Sequence, residues 1–599
     1  MKGRLSYSQG LAPCDCQKNT WRTAAPARIL RIMTTIPTPW LDHYDAGMPR
    51  SIGSYPAKTL VDVFAETARR TPDAIFLSFK GAHFTYAEVD RAVDALAHSL
   101  QRLGVGAGDR VALLLPNSPQ FIISEMAVWK LRAICAPQSA LYTGRELADS
   151  LNVSGAETAI VLTPFYERVK SIQQSTRIKN VIATNIKEYL PPLLRVAFTL
   201  LKEKKEGHRV TLHDGDFWLQ RLITDGALGG PFTSRARPED HSLILMSGGT
   251  TGTPKGVASD HRSSLMTGTQ LSAWMREPLS TPGVSIMVPL PLFHAYACCA
   301  IQSVAILSGA RLILVPNARD IGDLVKTIKR EKPAVFCGVP TLFNAILNHP
   351  DVVSGKVDFR SIKACFSGAA ALLGETKKRF EEMTGGRIIE AYGLTESTVA
   401  ACANPYSGPN KVGSVGMPCP DVTIRIVDSE DDSKPVDRGQ VGEIVMSAPQ
   451  LMLSYWNNAE ETANIVRRGE DGQRWLFTGD LGYLDEDGYL FIVDRKKDLI
   501  KTSGFQVWPR EVEEVLATHP AVAEVGVAGL PDERKGEIVA AWVVPRGTDI
   551  NVQELRAFCT GKLAPYKVPS RIEIRKELPK TMVGKVLRRV LVAEALVSS

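Results

Sequence analysis

The chain has ten cysteines in 599 residues but no C-x-x-C pair. Such a pattern seeds neither a zinc site nor a redox dithiol. Scattered thiols suit a reducing compartment, so a cytoplasmic protein is expected. Apolar runs are short: none reaches the roughly 18 residues a membrane-spanning helix needs. Charge is nearly balanced, at +7 on 71 basic and 64 acidic residues, and no basic stripe is interleaved with aromatics. Nucleic acid is therefore not an expected partner. No fixed-period repeat occurs. A Walker A loop, with Gly-Lys followed by Ser or Thr, is missing, and so is G-x-G-x-x-G, which removes two common phosphate cradles.

The first 32 residues hold six Lys or Arg against one acid, Asp15, and no long apolar core. That is not a secretory signal. They read as a disordered or wrongly assigned start with Met33 as the alternative initiator, or as a transit peptide.

What is present is a long alternation of helix-like and strand-like patterns, which argues an α/β architecture. Residues 59–70 and 86–103 read as amphipathic helices. Short apolar strands are expected at 111–115, 158–162, 243–246, 311–315 and 334–338. The charge run Asp494-Arg495-Lys496-Lys497-Asp498 separates a large N-terminal region from a compact one of strand, helix and strand. Residues 189–210 stand apart: Pro191-Pro192, an apolar stretch over 193–201, then Lys202-Glu203-Lys204-Lys205. The stretch is too short to cross a bilayer. It reads as a surface helix packed on the body, or as one lying on a membrane surface with its lysines at the head groups.

The richest chemistry lies in Ser247-Gly248-Gly249-Thr250-Thr251-Gly252-Thr253-Pro254-Lys255-Gly256, directly after an apolar strand. Glycines let backbone N–H groups approach an anion, hydroxyls add donors and Lys255 adds charge. The loop is built for phosphate.

This loop resembles the phosphate-binding motif of the acyl-adenylate-forming superfamily, which includes acyl-CoA synthetases, peptide-synthetase adenylation domains and luciferases. The motif order is matched across residues 59–590. The resemblance implies an α/β fold: a large N-terminal adenylation domain of stacked α/β subdomains (33–496) and a small mobile α+β C-terminal domain (497–599). In Ala391-Tyr392-Gly393-Leu394-Thr395-Glu396 it implies that Tyr392 stacks on adenine, Thr395 contacts the α-phosphate and Glu396 holds Mg²⁺ together with Thr250. Gly368 and Ala369 would face the adenine with their backbone. Asp480, in Thr478-Gly479-Asp480, would bind the ribose, and Arg495 would reach the nucleotide. Lys585 would bridge the carboxylate and the α-phosphate as a point charge. His294, in Pro291-Leu292-Phe293-His294, would lie by the acyl site. Lys497 would be the hinge, and rotation about it would exchange Lys585 for the coenzyme A-side loop of Ser503, Gly504 and Phe505. Met246 and Gly248 stand where many relatives carry an aromatic residue and a Ser, so backbone donors would do more of the phosphate binding.

The run after His294, Ala295-Tyr296-Ala297-Cys298-Cys299-Ala300-Ile301, has no carboxylate to pair with an amino acid's ammonium. No carrier domain is expected after Lys585, so a multidomain peptide synthetase is not the expectation. Residues 189–210 are similar to a basic, Pro-opened insertion in some long-chain fatty acyl-CoA synthetases. The expectation is ATP-dependent conversion of a medium- or long-chain fatty acid to acyl-AMP and then to acyl-CoA. An aryl-acid CoA ligase and an acyl-AMP ligase loading a carrier protein are the alternatives. A luciferase-like oxidase and a non-catalytic nucleotide binder are readings from other classes.

Overall fold

The structure, a computed structural model, describes residues 37–597 apart from 248–253, 282, 371, 373, 471, 548–549 and 582–583. The expectations for residues 1–32 lie outside the described residues. Two large sheets form the body. One has eight strands in the order Ser454–Tyr455, Lys255–Asp260, His241–Ser247, Ile134–Pro137, Arg110–Leu114, Thr158–Leu162, Asn180–Thr184 and Phe217–Trp218. The other has nine and runs parallel from Ile75–Phe79 through Arg311–Leu314, Ser285–Val288, Val335–Gly338 and Ala364–Ser367 to Arg387–Tyr392. Strands buried on both faces read as continuous apolar runs, which is why Thr158–Leu162 and Ala364–Ser367 carry no exposed residue.

Helix starts are written locally. Thr59, Thr85 and Thr143 each accept a hydrogen bond from the N–H three residues on, and the acids Asp62, Glu88 and Glu146 accept in turn from the cap N–H. These capping boxes fix Leu60–Arg70, Tyr86–Arg102 and Gly144–Ser154. Helix Pro119–Lys130 is buried on every residue, and the two large sheets share its core.

An antiparallel sheet follows, built on Arg474–Leu484, with Leu490–Arg495 paired to its edge. Past the short 3₁₀ turn Lys496–Asp498, strands pair in a fourth sheet with two small cores of its own. This last unit is richer than strand, helix, strand. It adds Phe505–Val507, helix Val552–Thr560, strand Arg571–Ile574 and helix Arg588–Val597 to the expected elements.

The eight described cysteines are all unpaired and buried. Among the described residues no helix is long and apolar enough to cross a membrane. Helix Pro192–Leu201 is a surface helix on which no residue is buried, and its Phe198 packs against His208.

Candidate active site

Three loops leave the carboxyl ends of parallel strands of one sheet, where open α/β sheets bind ligands. Ala364–Ser367 delivers Gly368 and Ala369, Arg387–Tyr392 delivers Gly393 to Glu396, and Ser285–Val288 leads to His294. One cavity takes in Gly368, Ala369, Tyr392, Thr395 and His294. The rest of its wall is mainly aliphatic: Leu271, Met275, Ile286, Ile301 and Val304 contribute. Part of that wall is the π-helix Tyr296–Gln302, whose widened turn is a common device at functional sites. The loop after Tyr392 is wound tightly. The Thr395 carbonyl accepts from Thr398 N–H at 3.0 Å, and Val399 N–H donates to the Leu394 carbonyl at 2.9 Å. A Cβ on Gly393 would stand 1.5 Å from the Val399 carbonyl oxygen, so this position requires glycine.

Among the described residues no carboxylate lines the cavity. Glu125 is fully buried, where it accepts from Cys298 Sγ at 3.3 Å and from the Gln302 amide. Desolvation pushes its carboxyl up to about 7. The His294 imidazole is pushed down to about 4 by burial, so it is neutral at physiological pH. Its Nδ1 is buried without a hydrogen-bond partner among the described residues, a polar group left over for a ligand.

Asp480 and Arg495 face each other in register on paired strands. Arg495 Nε donates to Asp480 Oδ1 at 2.9 Å, and the Tyr392 hydroxyl donates to Oδ2 at 2.7 Å. Asp480 is 4% exposed. Desolvation, then Asp480, keeps the Tyr392 phenol far above its usual range and therefore protonated. The three residues expected at adenine, ribose and nucleotide thus form one bonded cluster.

A second cluster forms around a residue that sequence reading missed. The Tyr455 hydroxyl donates to Glu396 Oε1 at 2.9 Å and also bonds the Ser247 side chain. Lys255 Nζ lies 5.2 Å from the Tyr455 ring centroid and pairs with Glu461 at 2.5 Å. Tyr455 reaches this point because Ser454–Tyr455 is the edge strand beside Lys255–Asp260. Its two-residue strand carries no periodic signal, so only the pairing exposes its role. Gly248, Gly249, Thr250, Thr251 and Gly252 lie outside the described residues; Ser247 and Lys255 flank them on paired strands. Magnesium takes one or two carboxylates plus phosphate oxygens and water. Glu396 offers one carboxylate among hydroxyls, and among the described residues no group of three or more His, Cys, Asp or Glu is gathered. That donor set fits a magnesium ion shared with a nucleotide.

Lys585 comes to this site from the last unit. The Gly584 N–H closes a turn on the Thr581 carbonyl at 3.0 Å with φ +75°, and a Cβ on Gly584 would meet Thr341 Oγ1 of the body at 2.5 Å. The Lys585 side chain remains exposed, within electrostatic reach of Arg495 and Asp480 of the body and of Lys497 and Asp498. Desolvation, then the charge of Arg495, pushes its ammonium down to about 8, with Asp480 opposing. Lys497 is exposed at the 3₁₀ turn, and desolvation, then Arg495, lowers its ammonium as well. Beside it, Arg588 donates to Asp494 at 3.1 Å, Asp498 at 3.0 Å and Glu513 at 2.9 Å, and Arg510 N–H donates to Asp494 at 2.8 Å. This network ties the last unit to the body. Ser503, Gly504 and Phe505 are not brought to the cavity. They form an exposed hairpin tip, with Phe505 stacked on Tyr566 at 4.5 Å.

The paired strands that end in Ser247 and begin at Lys255, a tyrosine–aspartate–arginine cluster, a lysine from a second unit and an apolar cavity lined by Tyr392 and Thr395 are the parts of a nucleotide-using, acid-activating class of enzyme. Residues 64–456 match the AMP-binding enzyme family, and residues 511–585 match the AMP-binding enzyme C-terminal domain. The chain belongs to the AMP-binding enzyme family. It is similar to the long-chain-fatty-acid–CoA ligase of Bacillus subtilis (strain 168), at 38% identity over 93% of this chain and 98% of that one. The long-chain-fatty-acid–CoA ligase of Escherichia coli O157:H7 is 35% identical over 93% of this chain and 98% of its own. Among solved structures, an anthranilate CoA ligase in complex with anthranoyl-AMP superposes with a TM-score of 0.77 at 27% identity, over 91% of this chain and 98% of that one.

Proposed function

We propose that the enzyme activates a long-chain fatty acid with ATP as acyl-AMP and transfers the acyl group to coenzyme A. The observation that carries this reading is a cavity lined by Gly368, Ala369, Tyr392 and Thr395 together with aliphatic side chains, with no carboxylate among the described residues of its wall. Such a wall favours a hydrocarbon chain over an amino acid.

In the first step a carboxylate oxygen attacks the α-phosphorus, the bond to the β-phosphate oxygen breaks and pyrophosphate leaves. Asp480 accepts the ribose hydroxyls, Tyr392 lies against the adenine beside the Gly368 and Ala369 backbone, and Arg495 holds Asp480 in place through their ion pair. The Thr395 hydroxyl donates to the α-phosphate. The Lys585 ammonium stands between the two anions that must meet, and so stabilises charge where it develops. Lys255 turns from Glu461 toward the departing phosphates, with the 247–252 loop around them. Magnesium, when held by Glu396 and Thr250, neutralises phosphate charge. Neutral His294 orients the carboxylate without competing for its charge. In the second step the last unit turns about Lys497. Lys585 withdraws, the Ser503, Gly504 and Phe505 loop arrives, and the thiol attacks the acyl carbon as AMP leaves.

In the same reading the enzyme works from the aqueous side, with residues 189–210 as its contact with a membrane surface. The test is product analysis with a panel of acids, with and without coenzyme A. Long-chain acids should yield AMP, pyrophosphate and acyl-CoA. Pyrophosphate without thioester would remove coenzyme A, and a preference for aryl acids would remove the fatty acid.

A further inference from the structure

Helix Pro192–Leu201 is amphipathic with its apolar side facing out. At about 100° per residue, Leu193, Leu194, Val196, Ala197, Leu200 and Leu201 share one arc of about 160°. All six are exposed, with Leu193 at 86%, Leu200 at 77% and Leu201 at 75%. Ordinary surface helices of water-soluble domains turn such an arc inward.

The helix is nevertheless firmly seated by its other side. The Phe198 ring packs edge-on against His208 at 5.2 Å. Arg195 pairs with Glu188 at 2.5 Å. The buried Glu203 accepts from Lys187 at 2.6 Å and from Asn185 at 3.0 Å, and His208 Nδ1 bonds Thr163 Oγ1 at 2.9 Å. A fastened helix that holds its leucines in water is a built surface.

We propose that this arc docks on the surface of an anionic lipid bilayer, with the leucines in the acyl boundary and the lysines that follow at the head groups. Charge decides the partner. From 192 to 209 the chain has five cations, Arg195, Lys202, Lys204, Lys205 and Arg209, against Glu203 and Glu206. Glu203 is taken up inside by Lys187, and Lys204, Lys205 and Arg209 are all exposed. An apolar face beside a lysine run is the pattern of an interfacial helix. Protein interfaces anchor instead on aromatic and arginine side chains. Here Phe198 and Arg195 are spent on contacts with the body.

The proposal rests on the peripheral-contact reading above, but not on which acid is activated. It is tested by co-flotation of the full chain with phosphatidylcholine vesicles, with and without phosphatidylglycerol. The chain should float with anionic vesicles, and L193D/L200D should lose about tenfold or more of that partition. Neutralising Lys204 or Lys205 with Gln should cost about fivefold each, and salt should mimic it. Unchanged melting temperature and pyrophosphate release in the variants would show that the fold is kept. Binding of the wild type to no vesicle would overturn both the docking and the peripheral reading. Equal binding to neutral vesicles, or binding unaltered by L193D/L200D, would overturn this surface while leaving membrane contact standing. Self-association lost in L193D/L200D without vesicle binding would overturn it in favour of a second copy.

Discussion

Lys585 carries the charge argument at the scale of single residues. Its removal should slow acyl-AMP formation by about 10²–10³, the scale of one lost transition-state charge contact. Thioester formation from preformed acyl-AMP should stay near wild type; equal loss of both half-reactions in K585A would contradict the assignment. Because the ammonium titrates near 8 and is protonated below that value, kcat/KM for adenylation should be flat up to about pH 8 and fall above it. In K585R the fall should move to higher pH, since a guanidinium stays charged. Gly393 is a different kind of test. Its Cβ space is occupied by the Val399 carbonyl, so G393A should destabilise the chain or distort the Thr395 and Glu396 turn, read as lower melting temperature and lost ATP affinity.

At the scale of elements, the π-helix Tyr296–Gln302 leans on a single buried carboxyl. Glu125 holds its proton more tightly folded than unfolded, since burial raises it to about 7. The folded state therefore binds more protons between the two values, and stability falls as pH rises toward 7 and then levels off. E125Q should remove that fall, a gain of at most about 3 kcal/mol at pH 8 and little near pH 4, checked by denaturant unfolding at both. Element starts were legible from the chain because capping boxes and apolar runs are local. Thr158–Leu162 falls where the apolar pattern puts it. The π-turn was not legible, because Ala-Cys-Cys-Ala-Ile fits any buried helix. Nor was Tyr455, because an edge pair of two residues has no period. Helix Pro192–Leu201 was readable as amphipathic, but which way its apolar arc faces depends on Glu203, His208 and Phe198 folding back on the body.

At the scale of the whole molecule, the order of motifs along the chain pointed to residues that lie near one another: Gly368, Ala369, Tyr392 and Thr395 line one cavity, and Asp480 is bonded to Tyr392. Their partners were less readable. Asp480 meets Tyr392 and Arg495 through strand register, and Lys255 is held by Glu461 from a helix two hundred residues on. The Arg588 network adds a prediction. It joins the body to the last unit on the Lys585-in arrangement, so R588A should weaken adenylation more than thioester formation, seen in the two half-reactions measured apart. The central claim is that ATP is split between its α- and β-phosphates by an acid, before any thiol takes part. Acid-dependent exchange of labelled pyrophosphate into ATP, without coenzyme A, measures that step directly. The account predicts exchange that requires a long-chain fatty acid and is lost in K585A. Exchange that needs coenzyme A, or ADP and phosphate as products, would contradict it.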